Sequence, residues 1–175
     1  MATYIGFLRA INLGATRKFP KAAIVAAVEK AGFTDVETYI NTGNVRFDTS
    51  LRSRAKIEAA LEEAFESEAG FAVPTIVFTQ KELAAIADEA ASFGHGGKHY
   101  VSLLKEEPSR TRAKELEARS RAGEQVHVVG RAVHLLVDGA YLDARTSNAD
   151  VEKLLGVATN RNLTVIRAIR QKWCS

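Results

Sequence analysis

The residue pair in this chain that most resembles a built site is His127 with His134. They lie in two alternating segments, Gln125–Val129 and Ala132–Val137, joined by Gly130-Arg131. Glycine at the first centre of a two-residue loop specifies a tight hairpin, and in that register His127 stands directly across from His134. Val126, Val128, Val133 and Leu135 then form the opposite, apolar side, which must be core. Two facing imidazoles supply two of the three or more protein ligands that zinc needs; His99 or Asp143 are the side chains that could add a third. The spacing does not single out either, so the pair is read as structural, on a half-exposed sheet face, and no metal is assigned.

A second constellation is polar and sits where strands end. Arg9 and Asn12 follow the first apolar segment, Asn41, Thr42 and Asn44 form a tight corner, and Arg161 and Asn162 precede the last amphipathic segment. Guanidinium forks with amide side chains suit a phosphate or carboxylate, and a helix start adds free amides. The competing reading is local: Asn and Thr in turns bond their own backbone, and Asn before a helix caps it. The charge pattern suits either an anion site or a solvated cationic helix end. Of 24 basic and 21 acidic residues, the stretch to Thr79 holds nine of each, so the excess lies beyond it. Glu152 is the last acid, and Lys153, Arg161, Arg167, Arg170 and Lys172 follow it unopposed. Arg167 and Arg170 are the candidates for phosphate contacts on a nucleic acid.

Other chemistry is not signalled. There is no G-x-S-x-G elbow, Walker loop, dinucleotide fingerprint or H-E-x-x-H helix, so no catalytic residue and no cofactor is assigned. The single cysteine, Cys174, excludes an internal disulfide. At 175 residues with 46% hydrophobic and 26% charged residues the chain reads as globular. No apolar run reaches the ~20 residues of a membrane span, and Arg9 and Asn12 interrupt any secretory apolar region; a cytoplasmic protein is the expectation.

The elements that must hold these residues form an α+β pattern. Thr3–Leu8, Val36–Ile40, Asn44–Asp48 and Val73–Phe78 read as strands. A helix begins at Pro20 and stops at Gly32, and a second runs from Leu51 to Glu68. The order βαββαβ predicts a ferredoxin-like unit over residues 1–79 with both helices on one face. Residues 80–175 predict a second α+β subdomain packed with it. Its parts are a helix opened by the capping box Thr79/Glu82, a Gly94–Gly97 loop, a strand at His99–Leu104, a solvated helix at Ser109–Ala122, the histidine hairpin, a short helix from Ser147 to Gly156, and a basic final helix from Leu163. No internal repeat is evident.

Three segments carry a family resemblance. Phe7-Leu8-Arg9-Ala10-Ile11-Asn12-Leu13-Gly14, Val36-Glu37-Thr38-Tyr39-Ile40-Asn41-Thr42-Gly43-Asn44-Val45 and Thr159-Asn160-Arg161-Asn162-Leu163-Thr164-Val165 resemble, in order and spacing, motifs of the family called domain of unknown function 1697. Ala10 and Ala15 stand where that family has glycines, which implies that the backbone there does not need a glycine-only conformation. Leu163 replaces a tryptophan. The resemblance implies a bacterial, cytoplasmic α+β protein of two subdomains and no defined activity, and its signature residues coincide with the polar constellation.

Three functions are therefore expected, in order: a binding module for an anionic partner, with nucleic acid the first choice because open ferredoxin-like sheets read RNA; an enzyme or binder of a small phosphate- or carboxylate-bearing metabolite, clamped by Arg9 and Arg161; and a homo-assembly, paired through the solvated helix and the hairpin edge.

Overall fold

The computed structural model describes residues 1–139 and 144–175; Asp143 lies outside them. The described chain divides into two compact units, one built on Met1–Leu83 and the other on Ala84–Trp173.

The first unit runs β1 (Ala2–Leu8), α1 (Lys21–Lys30), β2 (Thr34–Thr38), β3 (Asn44–Thr49), α2 (Arg54–Ala69) and β4 (Thr75–Thr79), with strand order β2-β3-β1-β4 and every neighbour antiparallel. This is the ferredoxin-like arrangement. Side chains alternate across β1, so Tyr4 and Leu8, with Val45, Phe47 and Val77, face Ile24 and Val28 of α1 and Ile57, Leu61 and Phe65 of α2. The opposite face is not open: Ile5, Phe7, Ile76 and Phe78 are 0–1% exposed. The edge strand β4 is also occupied, because Glu58 of α2, itself buried, accepts the Val77 N–H at 2.9 Å.

Local chemistry sets the boundaries. Pro20 precedes α1, and α2 starts at Arg54 because the Ser53 side chain accepts the Lys56 N–H. Strand β2 lies earlier than Val36–Ile40. Ile40 takes φ 52°, which ends extended pairing, while Asp35 at φ 51° marks a register shift between Thr34 and Glu37. Ala10 is also left-handed, at φ 54°, a conformation that glycine favours but that is not glycine-only. An L-residue tolerates that region at a cost of about 1–2 kcal/mol. At Gly43 the tolerance ends: φ is 89° and a Cβ would stand 2.7 Å from Leu8 Cβ.

The second unit repeats this topology. After α3 (Gln80–Ser92), which opens at the predicted Thr79/Glu82 capping box, come β5 (Lys98–Leu104), α4 (Arg110–Glu117), β6 (Glu124–Val129), β7 (Ala132–Val137), α5 (Asn148–Leu155), β8 (Ala158–Asn162) and α6 (Leu163–Trp173). Its strand order is β6-β7-β5-β8, again antiparallel throughout. The correspondence extends to single hydrogen bonds. Leu8 N donates to Gly43 O and Arg9 N to Pro74 O, as Leu104 N does to Arg131 O and Lys105 N to Val157 O. The absence of a repeat in the sequence reading is thus corrected at the level of topology. Strand β8 was missed because Ala-Thr-Asn-Arg-Asn carries no apolar alternation; its pairing with β5, not its composition, makes it a strand.

Val126, Val133, Leu135 and Val137 do face a core, with Leu116 of α4 and Val151 and Leu155 of α5. The α4 helix ends at Glu117, short of the expected Ala122, and the residues after it cover the β6 edge. Ser120 Oγ accepts the Val126 N–H at 2.9 Å and a Glu117 carboxylate oxygen accepts the Val128 N–H at 3.1 Å. The outward amides of β6 are thereby taken, which removes the open hairpin edge on which strand-paired assembly was premised. No helix among the described residues is long and apolar enough to cross a membrane.

Gly43→Ala combines left-handed strain with a backbone-near clash, and should lower stability by about 3 kcal/mol. Urea unfolding checks it: an unchanged midpoint would mean that the corner between β2 and β3 is not held as described.

Candidate functional site

In the first unit, Arg9 ends β1 half-buried, its amide on Pro74 O. The amide groups around it are committed to shaping loops. Asn12 Nδ2 donates to Asn41 O at 2.7 Å and Phe19 O at 3.1 Å, and its Oδ1 accepts the Phe19 N–H at 2.8 Å. Asn44, 1% exposed, donates to Tyr39 O and Thr42 Oγ1. Asn12 and Asn41 are therefore brought together, but by a bond of one to the other's backbone. They share an open depression with Lys18, Pro20 and Lys21 at the start of α1.

The second unit carries a more enclosed arrangement. The hairpin register is the expected one, His127 opposite His134. Yet the imidazole that His134 bonds is that of His99: β5 pairs with β7, setting Val101 beside His134, and His99 Nε2 lies 3.0 Å from His134 Nδ1. The expectation of a half-exposed face is corrected here, since His134 is 0% and His99 5% exposed. Phe93, just past α3, supplies the cover. Its ring centroid is 4.9 Å from that of His127, stacked, 5.0 Å from His134 and 5.9 Å from His99. Among the described residues His134 Nε2 is buried with no hydrogen-bond partner, and no group of three or more His, Cys, Asp or Glu could hold a metal ion.

Burial is the main reason that both rings stay neutral. It lowers His99 to about 4, helped by the charges of His95, Arg167 and His127, and lowers His134 to about 4, helped by His99 and His127.

His99 also lines a cleft of about 310 Å³ at the end of the sheet where β5 begins and β8 ends. Around it stand His95, Lys98, Asn162, Thr164 and Arg167, and no carboxylate among the described residues lines it. Gly97 brings the chain close to β7: a Cβ there would meet Val137 O at 2.5 Å. Asn162 caps α6 through Oδ1, which accepts the Val165 N–H at 2.9 Å; with Leu163 and Thr164 also lining the cleft, the positive dipole end of α6 lies at it. Lys98 and Arg167 are exposed and make no ion pair with any described residue.

The other basic candidates are placed differently. Arg161 lies on the histidine face of β8, buried, its Nη1 donating to Thr159 Oγ1 and Asn160 O at 2.8 Å; burial lowers it to about 10. It does not line the cleft. Arg170 is held by Asp88 of α3 at 3.2 Å. Sequence reasoning thus named Asn162 and Arg167 for an anion, and missed His95, Lys98, Thr164 and Phe93. A run of Gly94-His95-Gly96-Gly97-Lys98-His99 is the signal that could have found the loop side.

The buried neutral rings carry a pH consequence. A histidine held neutral in the fold takes up its proton only on unfolding, so stability is full above about pH 6.5 and falls as pH drops from there toward 4. Thermal unfolding between pH 7.5 and 4.5 should show this decline, and His99→Gln should flatten it. An identical decline in the variant would mean that other groups titrate.

These features sit in a fold that has known relatives. A solved structure, described as that of the conserved bacterial protein SP0830 from Streptococcus pneumoniae, is similar to this one at a TM-score of 0.77 and 20% identity, over 98% of this chain and 97% of that chain. No curated protein matches the sequence. The family model described as "Protein of unknown function (DUF1697)" matches residues 1–134, which contain Lys98, His99 and His134, end within β7 and leave out α6. With three quarters of its length so matched, the chain belongs to the DUF1697 family.

Proposed function

We propose that this protein binds a small oxyanion-bearing ligand, a phosphate or carboxylate group, in the cleft between β5, β8 and the start of α6. One observation carries the reading. Lys98, Arg167 and the first turn of α6 converge on a cleft that no described carboxylate lines, and each of these groups attracts an anion. Asn162 and Thr164 add polar groups that can orient it. The cleft is sized for a compact ligand.

The nucleic-acid reading is supported less well. An RNA-binding ferredoxin-like unit needs aromatic side chains on an open sheet face, whereas Phe7 and Phe78 of the first sheet are buried against one another, 5.9 Å apart. Arg170, one of its two phosphate candidates, is engaged by Asp88. We place the protein in the cytoplasm, where Cys174 remains a thiol.

Calorimetric titration with inorganic phosphate at low ionic strength tests the proposal. Binding should weaken by about tenfold in Arg167→Ala, as loss of a charge-assisted contact requires, and change little in Arg170→Ala. No binding, or equal binding by Arg167→Ala, would overturn it. Tight association with mixed-sequence single-stranded RNA that weakens steeply with salt would return the assignment to nucleic acid.

A further inference from the structure

We propose that an oxyanion enters this cleft together with one proton, which His99 and His134 hold between them. The inference rests on the anion reading of the cleft and names what regulates it.

Two neutral imidazoles carry two ring protons on four nitrogens. The bond between His99 Nε2 and His134 Nδ1 uses one N–H and one bare nitrogen. That leaves one outer N–H and one outer bare nitrogen for His99 Nδ1 and His134 Nε2, in either order. A third proton from solvent protonates the remaining outer nitrogen without breaking the bond, and gives the pair a single positive charge. The Phe93 ring packs against both imidazoles, edge-on to His99 and tilted to His134, and keeps water from them.

In the empty cleft no described carboxylate lines the wall to balance that charge. His99 and His134 are buried, and among the described residues the titratable groups around them and the cleft are His95, His127, Lys98, Tyr100, Arg161 and Arg167, none of them a carboxylate. On the loop side the carboxylate of Asp138, 71% exposed, lies 3.7 Å from His95. An anion seated beside Lys98, Arg167 and His99 reverses the local field: it offsets the arginine charge and attracts the proton to the pair. By linkage, affinity then rises as pH falls, by up to about tenfold for each pH unit over which one proton is taken up.

Sodium sulfate is the probe, because it stays fully ionised near neutrality and brings no proton of its own. Titration calorimetry at pH 6.5 in two buffers of different ionisation enthalpy counts the protons exchanged. Wild type should take up between half a proton and one per sulfate bound (roughly, by linkage), and His99→Gln should bind sulfate more weakly, with almost none. Sulfate binding without proton uptake in wild type would overturn the proposal while leaving the anion site standing. Undiminished uptake in His99→Gln would overturn it too, by placing the proton elsewhere. Failure of sulfate to bind at any low salt concentration would overturn both the anion reading and this inference. If His99→Gln does not fold, His134→Gln, which removes the second ring of the pair, serves the same comparison.

Discussion

A polar ring taken out of water must find a partner or remain uncharged, and the second unit is organised around two rings that meet this condition through each other. His99 and His134 share one hydrogen bond across β5 and β7, with Phe93 laid over them. Neither could be charged here without a compensating anion, since burying an isolated charge costs far more than one hydrogen bond returns. Arg161, on the same face, is buried with its guanidinium donating to Thr159 and Asn160, while two other basic residues stay at the rim. Lys98 and Arg167 stand in solvent at the mouth of the cleft, and the neutral pair forms its inner wall.

The two units answer the same topological problem with different side chains. In the first, β1 and β4 place Ile5 opposite Phe78; at the equivalent positions of the second, β5 and β8 place Val101 opposite Arg161. Aromatic packing of Phe7 on Phe78 has its counterpart in a face that carries three histidines and an arginine. Both units also protect a sheet edge with a side chain from a neighbouring helix or its end, Glu58 at Val77 in one and Glu117 at Val128 in the other. A shared backbone thus carries an apolar face in one unit and a titratable face in the other, and the titratable face of the second has beside it a cleft that no described carboxylate lines.

What could be read from the sequence was local. Gly130-Arg131 fixes its hairpin through turn geometry and alternation, and the facing of His127 and His134 followed from those alone. The capping box at Thr79 and the helix start at Ser147 were equally visible, because each acts within three residues. The partner of His134 was not legible, since β5 reaches β7 only after the intervening α4 and β6 have folded back. Strand β8 has no periodic signal, so the two-fold repetition of topology stayed hidden. Of the polar candidates, Asn12 and Asn44 hold loop carbonyls, while Asn162 and Arg167, separated by little more than one helical turn, meet at the same cleft.

The central claim is that His99 and His134 are neutral in the free protein and become a singly charged pair beside an anion. Long-range proton–nitrogen correlation spectra of the histidine rings test it directly, recorded at pH 6.5 with and without sulfate. The account predicts two neutral, singly protonated rings with nitrogen shifts coupled to each other in the free protein, and imidazolium shifts on one or both when sulfate is added. Imidazolium shifts already present without the anion, or neutral shifts unchanged at saturating sulfate, would contradict it.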